Sequence, residues 1–183
     1  MTSTPALRAC LLALLLACAW PAQAAGDFIT LSAAQCQAAT TGTALPADME
    51  PYRAAIKVCS LARGAQQPQI RLISVFTDDH YKNLPADAPW EKFPLPVLVD
   101  AAGRCVGRLP HLFPVDPPQE LVVSAGQWRR GLPHELRLKV LSPAVGGNYQ
   151  LPSLRWNAQT QAYQTVPSPK STPTPSEDMT PCP

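Results

Sequence analysis

The chain has 183 residues, with fifteen Lys and Arg against thirteen Asp and Glu, and six cysteines. So little charge of either sign excludes strong non-specific attraction to nucleic acid or anionic lipid. The length is sufficient for one domain with a real core.

Residues 1–24 divide into the parts of a secretory signal. Arg8 is the early charge, Ala9 to Trp20 is apolar, and Ala22 and Ala24 put small residues at −3 and −1 of a cut. The apolar run is shorter than the roughly 20 residues a membrane-spanning helix needs. Leu15-Leu16-Ala17-Cys18 offers a lipobox-like alternative, in which lipidated Cys18 would begin the mature chain and anchor it. Cleavage after Ala24 is expected instead, since Arg8 leaves the lipobox only a short apolar core. The expected destination is the periplasm or the medium, and no transmembrane helix is expected in the mature chain.

Removal of the signal leaves Cys36, Cys59, Cys105 and Cys182. An even number in an oxidising compartment points to disulfides. Sequence proximity favours Cys36–Cys59, leaving Cys105–Cys182 to tie the chain's end to the body. No Cys-x-x-Cys occurs, so neither a zinc site nor a dithiol redox centre is indicated.

Residues 25–66 read as a helical, disulfide-clamped element. Ser32 is placed to cap a helix running to Ala39, and Asp48 to cap a second one with Pro51 in its first turn. Tyr52, Ala55, Ile56 and Cys59 recur at helical spacing. Cys36–Cys59 would then staple an αα-hairpin.

Residues 67–166 turn to β patterning. Strands are predicted at Ile70–Thr77, Pro96–Asp100, Cys105–Arg108, Glu120–Ala125, Glu135–Val140, Tyr149–Trp156 and Ala162–Val166. Asp100-Ala101-Ala102-Gly103 reads as a hairpin turn, and Gly146-Gly147-Asn148 as another. Leu136, Leu138 and Val140 should face a core while Glu135, Arg137 and Lys139 face water. The prolines at 110, 114, 117, 118, 133, 143 and 152 should fall at edges and connections. The expected fold is mainly β with a small N-terminal helical element (α+β), an antiparallel β-sandwich or small barrel. Residues 167–183 hold six prolines among Ser, Thr, Glu and Asp, and are expected to remain a disordered tail.

Pro94-Leu95-Pro96-Val97-Leu98-Val99-Asp100-Ala101-Ala102-Gly103-Arg104 resembles the proline, strand and Asp-x-x-Gly-Arg turn of thioredoxin-like domains. The resemblance covers about a dozen residues and implies an α/β core with a β-rich C-terminal extension. It carries no redox dithiol.

Asp78, Asp79 and His80 form the one local cluster of metal-type ligands, just after a strand. A further ligand would have to come from His111, Asp116 or His134. His134-Glu135 lacks the second histidine of a zincin, and a Cys–His nucleophile would need Cys105 unbonded near His111 or His80. Arg129-Arg130 beside Trp128 is the one basic-aromatic cluster, and such a pair at a turn is ordinarily solvated. Trp90, Trp128, Trp156, Tyr149 and Tyr163 are the large packing residues, with Trp156 and Tyr163 placed to pair across strands.

No assembled catalytic set and no cofactor motif stands in the chain. The expectation is an exported, non-enzymatic cell-envelope protein, a protein-binding or structural accessory domain whose partner is another envelope protein, with no nucleic acid and no cofactor. The alternatives are a periplasmic metal- or ligand-binding domain centred on Asp78, Asp79 and His80, and a thioredoxin-like domain without its dithiol.

Overall fold

The computed structural model describes residues 28–64, 69–82, 84–89, 91–109, 120–142, 147–166 and 182. The signal segment with Cys18, Trp90, His111, Asp116 and the tail apart from Cys182 lie outside the described residues.

Two antiparallel sheets pack face to face. The first runs β2 (Cys36–Ala38), β3 (Ile56–Leu61), β4 (Ile70–Val75), β5 (Val97–Asp100) and β6 (Cys105–Arg108), in that order. The second holds β1 (Ile29–Thr30), β7 (Glu120–Arg129), β8 (Leu132–Ser142), β10 (Leu154–Asn157) and β11 (Ala162–Thr165), in that order. Strand β9 (Gly147–Gln150) pairs β8 off this path.

Period-2 side-chain alternation explains the layering. In the first sheet Cys59, Leu61, Ile70, Leu72, Leu98 and Val106 point inward, meeting Val123, Ala125, Leu136, Leu138, Leu154 and Tyr163 of the second. Burying each such aliphatic side chain contributes roughly 1.5–3 kcal/mol. The intervening Ile56, Ile73, Val97 and Val99 point the other way, where Met49, Leu45 and Tyr52 cover them. The first sheet is therefore apolar on both faces, which is why its strands read as near-continuous Ile/Val/Leu runs. In the second sheet Ser124, Arg137, Lys139, Arg155 and Gln164 alternate with the inward residues, and the Arg137 guanidinium stacks on the Phe28 ring 3.6 Å from its centroid.

The helical element expected over 25–66 is corrected. Ser32 does begin a helical turn, its amide donating to Gln35 Oε1 at 2.9 Å, but the turn is a 3-10 segment of three residues, Ala33–Gln35. A second 3-10 segment, Glu50–Ala55, has Pro51 in its first turn as foreseen, with Met49 rather than Asp48 at the cap. Ile56 to Leu61 then becomes strand, because its alternating apolar residues can be buried on both sides of a sheet. Cys36 lies opposite Cys59 in the β2–β3 register, so that disulfide staples two strands rather than two helices. Cys105 is bonded to Cys182.

The thioredoxin-like alternative is overturned. Val97–Asp100 sits in a sheet whose every pair is antiparallel, and the α-helix found among the described residues, α1 (Thr77–Tyr81), is five residues long. The Asp100 turn forms as expected: Oδ1 accepts the amides of Ala102 and Arg104 at 3.0 and 2.9 Å, and Gly103 takes φ 83°.

Three finer expectations change. Pro133 lies inside β8 rather than at an edge, buried beside the β7–β8 turn, where its carbonyl accepts the Tyr163 hydroxyl at 2.6 Å. Glu135 is buried instead of facing water, because Gln127 and Arg137 both donate to its carboxylate. Tyr149 to Trp156 is two strands, broken at 151–153 around Pro152, and both halves pair the same edge of β8. Trp156 and Tyr163 do face each other across β10 and β11, with ring centroids 5.2 Å apart in an edge-on arrangement.

Candidate functional site

The Asp78-Asp79-His80 cluster falls on α1, and its side chains go separate ways. Asp79 pairs with Lys57 of β3 at 2.6 Å, and the same ammonium lies 4.3 Å from the centre of the Phe76 ring. His80 turns into an aromatic cluster with Tyr52, Tyr81 and Phe93, each ring 5.0–5.5 Å away edge-on. Its Nε2 lies 3.4 Å from Glu91 Oε1, while the Tyr52 hydroxyl donates to Glu91 Oε2 at 3.1 Å. Burial, then the Glu91 carboxylate, pushes the Tyr52 phenol above its ordinary pKa. These contacts pin the 76–96 connection onto the 3-10 segment before β3. Among the described residues no three His, Cys, Asp or Glu side chains converge as a metal site.

A different cluster gathers at the other end of the sandwich. Strand β4 begins there and β5 ends there, since Ile70 pairs with Asp100. The β7–β8 and β10–β11 turns of the second sheet come to the same place. Between the turns opens a cleft of about 730 Å³. Asp100, Ala101, Ala102 and Arg104 form one wall, Arg129, Arg130 and His134 another, and Gln161 a third, over Ile70, Leu132 and Trp156.

The charges in this cleft do not balance locally. Asp100 is engaged by Arg104, whose Nε donates to Oδ2 at 3.0 Å, and by the two turn amides on Oδ1. Arg71 Nη2 donates to the carbonyls of Asp100 and Ala101. Arg129 and Arg130 are exposed, and among the described residues neither has a carboxylate partner. Burial, and then the Arg129 charge, pulls the His134 pKa below its ordinary 6.5, favouring the neutral imidazole.

Backbone conformation marks the same region. Arg129 pairs with Leu132, so Arg130-Gly131 is a two-residue hairpin loop in which both residues have positive φ, 51° and 79°. Such turns favour Asn-Gly, and an L residue other than Gly or Asn in that conformation costs about 1–2 kcal/mol. Gln161 has φ 51° and Gln127 φ 54°, so all three positive-φ non-glycine residues among the described ones lie on the second sheet at or beside this end. At Gln127 and His134 the β7–β8 pairing is interrupted.

Arg129-Arg130 is visible in the sequence as a basic pair beside a tryptophan. The three turns that converge on it are not, because convergence depends on how the sheets stack. The available signal is an arginine where a two-residue turn before Gly131 favours Asn or Asp.

Comparison with protein-family models, with curated proteins and with solved structures finds no significant match to this chain. The two disulfides indicate an oxidising, extracytoplasmic environment. Among the described residues no helix is long and apolar enough to cross a membrane.

Proposed function

We propose that this chain is an exported, non-enzymatic cell-envelope protein of the periplasm or medium, whose β-sandwich docks another envelope protein at its turn end. The observation that carries the reading is the Arg129-Arg130 pair. Two guanidinium groups without carboxylate partners among the described residues line a cleft with the apolar Leu132 and Trp156, one at the end of β7 and the other on a turn whose backbone favours a different residue. Arginine and tryptophan beside aliphatic surface are the usual anchors of protein interfaces. The signal-like N-terminus and the disulfide pairs support the compartment.

The test is site-specific photo-crosslinking in growing cells from position 130 and, as a control, from exposed Asp87 in the connection at the opposite end. A single envelope protein crosslinked from 130, absent from 87 and lost when Arg129 is replaced by Gln, is the expected result. Equal crosslinking from both positions, or none from 130, contradicts the reading.

A further inference from the structure

We propose that the turn-end cleft holds an extended acidic peptide segment of the partner protein, its carboxylates on Arg129 and Arg130 and an apolar side chain against Leu132 and Trp156. The proposal rests on the docking reading and names the chemistry of the occupant.

Charge complementarity selects that chemistry. Among the described residues every ionisable group lining the cleft is accounted for: Asp100 and Arg104 neutralise each other, His134 is biased towards its neutral form, and Arg129 and Arg130 remain. Two planar guanidinium forks present paired N–H donors that match carboxylates in two-point contact. The floor discriminates further. Leu132 and Trp156, both only partly buried, offer an apolar surface that a free inorganic anion would leave wet, whereas a peptide with an alternating side chain covers it. A nucleic-acid strand would need a basic track, and the chain as a whole is nearly neutral.

The walls suit a short extended segment. The β5–β6 turn on one side and the β7–β8 and β10–β11 turns on the other leave an open trough of about 730 Å³ rather than a closed cavity. Exposed backbone at Ala101, Ala102 and Ala158 carries no bulky side chain to obstruct a passing chain.

The experiment uses the mature, disulfide-bonded protein and fluorescein-labelled octapeptides followed by anisotropy. One is Glu-Thr-Glu-Leu-Glu-Thr-Glu-Thr; the second replaces every Glu by Gln; a third probe is a single-stranded octanucleotide, and inorganic phosphate serves as competitor. The acidic peptide is expected to bind on the order of tenfold or more tightly than its Gln counterpart, with affinity falling as salt screens the contact. Arg129→Gln/Arg130→Gln is expected to remove that advantage, while Lys92→Gln in the 76–96 connection leaves it unchanged. Because Arg129 and Arg130 are exposed, thermal melting of the double variant should match the parent, separating lost binding from lost folding. Equal binding of both peptides, tighter binding of the oligonucleotide, full competition by millimolar phosphate, or an unaffected double variant each overturns the acidic-segment assignment. Crosslinking from position 130 that persists in that case would leave protein docking standing with a different partner chemistry.

Discussion

Arg130 and Gln161 adopt the same left-handed backbone, φ 51° in each, on two turns of one sheet that line a single cleft. Neither is the residue such a conformation favours. Both therefore hold conformational energy that the fold could recover by substitution, and both place a polar side chain at the rim.

Arg130→Asn should accordingly stabilise the protein while weakening acidic-peptide binding. Asparagine tolerates positive φ, so a gain of about 0.5–1 kcal/mol is expected in chemical denaturation. A variant that is neither more stable nor weaker in binding would show that this turn is no compromise between folding and recognition.

Asp48 and Arg108 make a two-point ion pair, with Nη1 and Nη2 donating to the two carboxylate oxygens at 2.6 and 3.1 Å. Arg108 is 8% exposed and its Nε has no partner among the described residues, so the carboxylate is its main compensation. Asp48 is itself partly solvated. Asp48→Asn should cost about 1–3 kcal/mol by leaving a buried guanidinium poorly paired. The Arg108 hydrogen bond holds the Asp48 pKa below its ordinary 3.8. Its contribution is therefore present above that value and fades as the pH falls through the lower folded-state value. Acid unfolding of parent and variant should converge at low pH.

His134 works with the same sign through different chemistry. Burial, with Arg129 second, favours the neutral ring. Above pH 6.5 the imidazole is neutral in both folded and unfolded chains and exacts no penalty. As the pH drops from there through the lower folded-state value, the unfolded chain binds the proton more readily and stability falls. Denaturation midpoints measured between pH 7.5 and 5 should decline more steeply in the parent than in His134→Gln.

The two disulfides should differ in what their loss exposes. Removing Cys36–Cys59 by paired Ala substitution frees β2 from β3 and should cost about 3 kcal/mol in the chain-entropy model. Removing Cys105–Cys182 opens a loop with a sequence separation of 77 and should cost somewhat more in that model, roughly 4–5 kcal/mol. Denaturant titration of both double variants measures each directly.

How much of this could be read in the chain depends on the range of the interactions. Val97–Asp100 with its Asp100 turn, and the alternation of Leu136, Leu138 and Val140, are local patterns and emerge as read. The segment from Ile56 to Leu61 misleads because its apolar residues also fit a helical period. Only the neighbours β2 and β4, with a second sheet below and Met49 above, decide for the strand. Asp78, Asp79 and His80 are adjacent in sequence, but Lys57 and Glu91 draw two of them apart. The cleft is the reverse case. Asp100, Arg130 and Gln161 are distant along the chain and meet only because three hairpin turns share one end of the sandwich.

Amide and indole chemical shifts of the labelled mature protein, followed during titration with the acidic octapeptide, test the docking cleft most directly. The expected result is saturable shifts concentrated at Arg129, Arg130, Leu132, Ala101 and the Trp156 indole, absent with the Gln peptide. Shifts centred on Tyr52, His80 and Glu91 at the opposite end, or no saturable shifts at all, would contradict it.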